Sequence, residues 1–399
     1  MHHDRSGVIA ARDWLLRHQP DEPVFFFAPA RLRARAWHFL RRFPGQVTYA
    51  VKANPDPACL RVLVEAGVGA FDVASVAEMQ AVRAVAPDAA LHYHNPIRSA
   101  GEIAQARGFG VRSWSVDRAS ALDALGDIAG AQIAVRLRLP VSGAAYDFGA
   151  KFGADPDAAE ALLRLVAARG GVPCMTFHPG TQCESAAPWA AYIAACAQIA
   201  QRAGVRLARL NVGGGFAAHR SGRAPDLDAV FNRIASAREA VFADSGGQPE
   251  LVCEPGRAMV ADAWQIALRV KASDETGVYL NDGVYGALSE WRDLPPGDRI
   301  AVFAADGADR RGAAVPRVVF GPTCDSLDRL PAPLPLPDDL QVGDYLLIEG
   351  MGAYSGALVT GFNGYGARQV VTTVATGAIP VLHGTKPTGR GRKAAGHRV

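Results

Sequence analysis

Short apolar runs alternate with helical segments through the first two thirds of the chain. Eight such runs precede residue 264: Val47–Val51, Ala70–Val73, Leu91–Tyr93, Val111–Val116, Gln132–Leu139, Cys174–Phe177, Leu207–Val212 and Leu251–Cys253. The segments between them have the period of amphipathic helices, as where Leu60, Leu63 and Val64 share one face. This alternation predicts a parallel (β/α)8 barrel. An open doubly wound sheet is the alternative, because the number of strands does not establish closure.

Signals for helix ends support this interpretation. Ser75 and Glu78 have the spacing of a capping box at the start of a helix. Gly67 suits a helix end, and Pro188 suits the first turn of a long helix. Each of these positions falls between two of the predicted strands, as a barrel requires.

The pattern changes after Ala263. Apolar strand-like runs follow at Trp264–Lys271, Val278–Leu280, Ile300–Phe303, Val315–Phe320, Tyr345–Ile348 and Val370–Val374. Because turns and prolines join them, they predict an antiparallel β domain, and the early apolar run Val24–Phe27 could pair into the same sheet. We therefore expect an N-terminal strand of the β domain (1–29), a barrel (30–263), the β domain (264–384) and a disordered basic tail (385–399).

Composition excludes several classes of protein. Of the 399 residues, 49% are hydrophobic and 20% charged, which excludes disorder for the bulk of the chain. A net charge of +3 does not indicate nucleic-acid binding, and no apolar run reaches the ~20 residues of a membrane span. The start of the chain lacks the apolar segment of a secretory signal, so we expect a cytoplasmic protein. Six cysteines without a CxxC pair indicate neither a metal site nor a disulfide framework.

Polar residues end most of the eight predicted barrel strands. In chain order they are Lys52, Asp72, His94 with Asn95, Arg136 with Arg138, His178, Asn211 and Glu254. Chemistry in a barrel gathers at the carboxyl ends of the strands, so these side chains should face one another around one mouth. Any one of them alone would more often be structural, but the set predicts an active site.

Two of these positions, and two features that follow strand ends, have a chemical interpretation. A lysine at the end of a buried strand should have a lowered pKa, as an imine-forming lysine needs, although Lys52 alone could also extend into solvent. Gly213-Gly214-Gly215 lies between a strand and a polar loop, where glycines let backbone N–H groups approach a phosphate. Glu254 could face a ring nitrogen, and Arg257 could help to hold the phosphate. Together these are the parts of a pyridoxal-phosphate site.

The chain resembles the fold-type III pyridoxal-phosphate decarboxylases, which act on ornithine, lysine, arginine or diaminopimelate. The resemblance is greatest to the eukaryotic type of ornithine decarboxylase. The matching motifs occur in order at 49–54 (YAVKAN), 71–75 (FDVAS), 177–181 (FHPGT), 213–216 (GGGF), 254–257 (EPGR), 281–286 (NDGVYG), 321–325 (GPTCD), 352–354 (GAY) and 362–364 (FNG).

The resemblance implies a role for each matching residue. Lys52 would bind the cofactor as an imine, His178 would stack on its ring, and Glu254 would keep the ring nitrogen protonated. Asp72, Glu78 and Arg136 would surround the imine, with Arg138 an alternate for Arg136. The remaining cofactor ligands would hold the phosphate: Thr181, Gly214, Gly215, Arg257 and Tyr354.

The resemblance also implies a homodimer with shared active sites. Cys324 and Asp325 would reach the site of the partner subunit, where Cys324 returns a proton to the substrate carbon and Asp325 binds a distal ammonium group. Tyr285 would be a further substrate-binding residue. The Tyr-Asp pair of ornithine enzymes is absent after Tyr285, so Glu290 or Asp293 would be the second distal acid.

The resemblance implies the decarboxylation of L-ornithine to putrescine, a step of polyamine synthesis. The first alternative is a lysine decarboxylase or a dual lysine/ornithine decarboxylase. Decarboxylation of diaminopimelate or of carboxynorspermidine is the more remote alternative. Glu254 and the Cys324 motif argue against an alanine-racemase-like enzyme. A non-enzymatic binding protein of this fold would have lost cofactor residues that this chain retains.

Overall fold

A computed structural model describes residues 2–140, 151–243, 247–275 and 277–374. The tail predicted to be disordered, 385–399, lies outside the described residues, as do residues 375–384 of the expected β domain. None of the helices in the described ranges is long and apolar enough to cross a membrane.

The chain begins with two strands and two helices that precede the barrel strands. They are β1 (His2–Ile9), α1 (Ala11–His18), β2 (Val24–Phe27) and α2 (Pro29–Arg42). The sequence pattern predicted β2 but neither β1 nor α1. All four residues of β2 are buried, because Phe25 and Phe27 pack against Trp264 on one face while Phe26 packs against Trp14 of α1 on the other.

Parallel strands and helices alternate through the next segment. They are β3 (Gln46–Val47), β4 (Tyr49–Ala50), α3 (Pro57–Glu65), β5 (Ala70–Val73), α4 (Val76–Val85), β6 (Ala90–Tyr93), α5 (Ala100–Gly108), β7 (Ser113–Val116), α6 (Ala119–Asp123), β8 (Gln132–Leu137), α7 (Pro156–Ala168), β9 (Val172–Phe177), α8 (Ala187–Ala203), β10 (Arg209–Asn211), α9 (Leu227–Phe242), β11 (Glu250–Cys253) and α10 (Arg257–Val260). Each strand pairs in parallel with its neighbour.

The first barrel strand joins the two edges of this sheet. It is split at Thr48, whose N–H donates to the Cys253 carbonyl at 2.8 Å. On one side of the split β3 pairs with β11, and on the other side β4 pairs with β5. The predicted parallel barrel is therefore confirmed, and the open-sheet alternative is wrong.

The second sheet contains the strands that follow the barrel. They are β12 (Trp264–Ser273), β13 (Gly277–Leu280), β14 (Ile300–Phe303), β15 (Ala314–Phe320), β16 (Leu334–Pro337), β17 (Tyr345–Glu349) and β18 (Gln369–Thr373). Their order is β1-β18-β2-β12-β13-β15-β16, with β17 pairing β12 and β14 pairing β17. Most pairs are antiparallel, but β1–β18, β18–β2 and β13–β15 are parallel. The β domain that the sequence predicted is thus confirmed as a mainly antiparallel sheet.

Two contacts attach the β domain to the mouth of the barrel. The Tyr354 N–H donates to the Ala53 carbonyl at 2.9 Å, and Asn54 Nδ2 donates to the Gly352 carbonyl at 2.9 Å. Gly352 must be a glycine, because a Cβ atom there would lie 2.0 Å from the Val260 carbonyl oxygen. The loop that carries Tyr354 is therefore held against the turn that carries Lys52.

Candidate active site

A cavity of about 220 Å³ opens at the carboxyl ends of the barrel strands. Its described lining residues are Lys52, Asp72, Ala74, His94, Asn95, Arg136, Lys151, Phe152, Thr176, Phe177, His178 and Glu254. Five of the predicted site residues, Lys52, Asp72, Arg136, His178 and Glu254, are therefore brought together. A larger cavity of about 580 Å³ between α8 and α9 has no carboxylate among its described lining residues, so volume alone does not identify the site.

Lys52 lies in a 3₁₀ turn, Val51–Ala53, just beyond the end of the first barrel strand. Its Nζ atom is 3.9 Å from Asp72 Oδ2, and 47% of its side-chain surface is open. Burial would lower the pKa of Lys52, but the neighbouring Asp72, Tyr354 and Glu254 raise it overall. The expectation of a lowered pKa, based on burial alone, is therefore wrong for this structure.

The two buried carboxyl groups of the site differ in their surroundings. Burial and the charge of Glu254 raise the pKa of Asp72, whose Oδ1 atom accepts no hydrogen bond from the described residues. Burial would also raise the pKa of Glu254, but His94, Lys52 and Asn211 together hold it low. Oε1 of Glu254 accepts hydrogen bonds from both His94 Nδ1 and Asn211 Nδ2. Glu254 is thus held as a carboxylate.

His178 and Arg136 lie on the wall of the same cavity. Burial, together with the charges of Lys52 and Arg136, lowers the pKa of His178 to about 3. The ring is therefore neutral, and its Nδ1 atom accepts the Gly180 N–H at 3.2 Å. Arg136 lines the cavity whereas Arg138 is exposed, so the structure favours Arg136 over the alternate residue.

The Glu78 carboxylate accepts a hydrogen bond from the backbone just beyond the end of β5. Its Oε2 atom accepts the Ala74 N–H at 2.7 Å, and Ser75 Oγ accepts the Glu78 N–H at 3.3 Å. The helix therefore begins after Ser75 as predicted, but the carboxylate bonds Ala74 instead of completing the capping box. Burial raises the pKa of Glu78.

The glycine run packs so closely against its neighbours that side chains do not fit there. A Cβ atom on Gly214 would lie 2.8 Å from the Glu254 carbonyl oxygen and 3.2 Å from His178 Nε2. Gly215 has a φ of +85°, and a Cβ atom there would lie 2.7 Å from the Gly180 carbonyl oxygen. Thr181 follows Gly180 and is buried. Only glycines fit at both positions, which keeps the loop between Thr181 and Glu254 tightly packed.

Arg257 lies beside Tyr354 and forms an ion pair with Glu290. Its guanidinium carbon is 5.0 Å from the centre of the Tyr354 ring. Glu290 accepts hydrogen bonds from both Arg257 Nη atoms, and from Arg220 at 3.1 Å. With only 10% of its side chain exposed and two arginine partners, Glu290 is a poor candidate for the second distal acid. Asp293, the other candidate, is exposed just after the short 3₁₀ helix Ser289–Arg292.

Cys324, Asp325 and Tyr285 lie in the β domain, apart from the residues that line the cavity with Lys52. The Cys324 N–H donates to Asn363 Oδ1 at 3.1 Å, and the Tyr285 hydroxyl donates to Asp325 Oδ2 at 2.5 Å. That hydrogen bond lowers the pKa of Asp325 and raises the pKa of Tyr285. Cys324 is exposed, and the other cysteines are buried. In one chain, these three residues therefore do not share the cavity that Lys52 lines.

Sequence reasoning missed several residues of the cavity. Lys151 and Phe152 line it, and Arg136 and Lys151 both lie over the Phe152 ring, at 5.0 and 5.1 Å from its centre. His94 and Asn211 were noted at strand ends without a role. Lys151 and Phe152 follow a segment with no periodic pattern, so the sequence offered no signal for them.

The donor set fits a pyridoxal phosphate. An accessible lysine, a carboxylate held charged, a neutral imidazole and glycine backbone beside an arginine are the groups that an aldehyde, a ring nitrogen, a ring face and a phosphate require. Asp72 Oδ1, which has no hydrogen-bond donor among the described residues, lies 4.0 Å from His94 Nδ1 and remains available to a bound group.

Comparisons with known proteins agree with this site. Residues 30–261 match the pyridoxal-binding domain of the pyridoxal-dependent decarboxylases, and residues 251–352 match their C-terminal sheet domain. An ornithine decarboxylase of Panagrellus redivivus is 31% identical over 377 residues, covering 86% of this chain and 84% of the relative. A lysine/ornithine decarboxylase of Selenomonas ruminantium is 31% identical over 349 residues, covering 82% of this chain and 84% of the relative.

A solved structure extends the likeness to the whole fold. The lysine/ornithine decarboxylase of Vibrio vulnificus, complexed with cadaverine, superposes with a TM-score of 0.75 at 25% identity. The match covers 93% of this chain and all of that chain. This chain belongs to the pyridoxal-dependent decarboxylase family and is a pyridoxal-phosphate-dependent amino-acid decarboxylase.

Proposed function

We propose that this enzyme decarboxylates a basic L-amino acid and that L-ornithine, which yields putrescine, is its preferred substrate. The observation that carries the proposal is the acid that follows Cys324. Asp325 is exposed, its pKa is lowered, and it is hydrogen-bonded to Tyr285, so it presents a negative charge to a distal ammonium group. The family relatives named above act on ornithine or on lysine and ornithine, which supports a basic substrate.

Different residues of one chain would hold different parts of the cofactor. Lys52 would bind the aldehyde, Glu254 would keep a proton on the ring nitrogen, and the neutral His178 would face the ring. The phosphate would be held by five residues, Thr181, Gly214, Gly215, Arg257 and Tyr354. Asp72, Glu78 and Arg136 fix the charge around Lys52. When bound, pyridoxal phosphate supplies the electron sink for the electrons left by departing CO₂.

Cys324 is the proton donor in this proposal, and Asp325 and Tyr285 bind the substrate, together with Asp293 as the second distal acid. Since Cys324, Asp325 and Tyr285 lie outside the cavity of their own chain, we propose a homodimer in which each subunit completes the site of its partner. Apolar side chains near this loop are exposed: Leu327 at 70%, Leu358 at 48% and Phe362 at 44%. Such a patch favours contact with another protein surface.

Identification of the product tests the choice of substrate. The purified enzyme would be incubated with L-ornithine, L-lysine, L-arginine, meso-diaminopimelate and carboxynorspermidine, and the amines separated by chromatography. We expect putrescine from L-ornithine with the highest kcat/KM. Equal cadaverine production would replace the ornithine assignment by a dual lysine/ornithine activity. Turnover of only meso-diaminopimelate would refute the preference for a substrate whose distal end carries an ammonium group without a carboxylate.

Mixing two inactive variants should restore activity. In random mixtures of Lys52→Ala and Cys324→Ala subunits, about half of the dimers are heterodimers, each with one intact site. Activity should therefore recover to about a quarter of the wild-type value, as measured by CO₂ release. If subunit exchange is demonstrated and no activity returns, both residues serve the same chain.

A second mixture separates the two arrangements. The double variant Lys52→Ala/Cys324→Ala would be mixed with an equal amount of wild type. In shared sites only wild-type homodimers work, so the mixture keeps about a quarter of the activity of all-wild-type protein at the same total concentration. Unshared sites would keep about half, because every wild-type subunit remains active.

Glu290→Gln should destabilise the phosphate end of the site. Glu290 lies between Arg257 and Arg220, and its removal leaves two buried positive charges side by side. Breaking such a buried pair costs about 3 kcal/mol, which urea unfolding of the apoenzyme would measure. Added pyridoxal phosphate should reduce this loss, because its phosphate replaces the missing negative charge. The exposed Asp293→Asn is the matched control, with an expected change within about 0.5 kcal/mol. Equal stability of Glu290→Gln and wild type would show that the pair contributes nothing.

A further inference from the structure

A chain of hydrogen bonds extends from Glu254 into the interior of the barrel. Glu254 Oε1 is bonded to His94 Nδ1, and His94 Nε2 is 2.9 Å from Ser113 Oγ. Ser113 Oγ is in turn 2.6 Å from His92 Nδ1. We call these four residues, Glu254, His94, Ser113 and His92, the relay. None of the roles assigned above uses its three inner members.

The fold places the inner members of the relay together. His92 and His94 are two residues apart on β6 and at its end, so their side chains project to the same side of the strand. Ser113 is the residue of β7 that lies opposite His92 in the parallel pair. His92, Ser113 and Glu254 are buried, and the His94 side chain is only 8% exposed. Buried polar groups of this kind need their partners, since a lost partner leaves a desolvated group.

The neighbours of the relay fix the direction of its hydrogen bonds. Asn211 Oδ1 accepts the Gly213 N–H at 2.9 Å, so Nδ2 is the atom that faces and donates to Glu254. Glu254 is a carboxylate and can only accept, which requires a proton on His94 Nδ1. In the neutral tautomer of His94 with its proton on Nδ1, Nε2 accepts the Ser113 hydroxyl, and Ser113 Oγ accepts from His92 Nδ1.

The far end of the relay agrees with this direction. His92 Nε2 carries no proton in this arrangement, and it has no hydrogen-bond partner in the described part of the chain. Burial and the neighbouring His94 lower the pKa of His92 to about 3, so the ring is neutral. His92 is therefore the neutral inner end of the relay.

We propose that His94 is a positioning residue for the cofactor ring: Ser113 and His92 hold it in one tautomer, and with Asn211 it fixes the Glu254 carboxylate. Both hydrogen bonds fall on Oε1, which leaves Oε2 as the oxygen available to the cavity. Without His94 the buried Glu254 becomes more basic and competes with the ring nitrogen for their shared proton. This inference does not depend on which amino acid is the substrate or on a shared dimer site.

Two pairs of variants test the relay. Ser113→Ala breaks it, and Ser115→Ala is the matched control, because Ser115 is a buried serine of the same strand whose hydroxyl has no partner among the described residues. His94→Ala removes the donor to Glu254. His94→Asn keeps an amide N–H near the position of Nδ1 and should restore that bond.

The first measurement is the dissociation constant of pyridoxal phosphate from the reconstituted apoenzyme. The second is the nitrogen-15 resonance of ring-labelled pyridoxal phosphate, which reports whether the ring nitrogen is protonated. We expect His94→Ala to weaken binding about tenfold and Ser113→Ala about threefold, with His94→Asn within about threefold of wild type. In His94→Ala and Ser113→Ala the resonance should move toward that of unprotonated pyridine.

Specific results would overturn the proposal. If His94→Ala binds the cofactor like wild type with an unchanged nitrogen-15 resonance, His94 does not position Glu254. If Ser113→Ala and Ser115→Ala change both measurements equally, the effect is one of packing. Should His94→Ala fail to fold, Ser113→Ala and its control decide alone, since each removes only one hydroxyl group.

Discussion

Replacing Lys52 by alanine should abolish the visible absorption of the bound cofactor and reduce decarboxylation by a thousandfold or more. The reason is that no other group in the described lining of the cavity lies in the position of Lys52, 3.9 Å from Asp72. A loss of about 4 kcal/mol of transition-state stabilisation corresponds to roughly a thousandfold in rate. Absorption spectra and CO₂ release of the reconstituted variant would measure both effects.

Lys151 provides the matched control for this experiment. It is the other lysine that lines the cavity, and it lies over the Phe152 ring. Lys151→Ala should keep the visible band. If instead Lys52→Ala keeps the band and Lys151→Ala loses it, the cofactor is bound by Lys151 and the assignment of the site is incorrect.

Glu254→Ala should lower kcat about a hundredfold, equivalent to ~3 kcal/mol, while it changes the affinity for pyridoxal phosphate much less. Its carboxylate is the group that would keep the ring nitrogen protonated, and the neighbouring His94 and Asn211 hold its pKa low. Steady-state kinetics and cofactor titration separate the two quantities.

Glu78→Gln is the comparison for Glu254→Ala. Its carboxylate is committed to the Ala74 N–H, so its replacement should reduce kcat by much less. Wild-type turnover in Glu254→Ala would mean that this carboxylate is only structural.

The barrel was predictable because its strands are buried on both sides and read as continuous apolar runs. The strand β16 was not, because Leu334-Pro335-Leu336-Pro337 contains two prolines in four residues. Proline is tolerated in a strand at the edge of a sheet, and β16 is the last strand of its sheet. Sequence alone did not reveal that β16 occupies this edge.

The candidate site was predictable where polar residues end buried strands. Lys52, Asp72, Arg136, His178 and Glu254 meet because parallel strands end at one mouth. The direction of the Lys52 pKa shift was not predictable, since it depends on the distances to Asp72, Tyr354 and Glu254, which belong to separate segments. The ion pair of Glu290 was not predictable for a similar reason, because its partner Arg257 begins α10, which is distant in sequence.

The position of β2 has a consequence for synthesis on the ribosome. Val24–Phe27 emerges early, but its two neighbours in the sheet, β12 and β18, are made after the barrel and at the end of the described chain. Until β18 leaves the ribosome, one edge of this wholly apolar strand has no partner, and an open apolar edge promotes pairing with other chains. Completion of the β domain therefore waits for β18, and nascent chains that stop before Gln369 carry an unpaired strand edge that β18 covers in the finished protein.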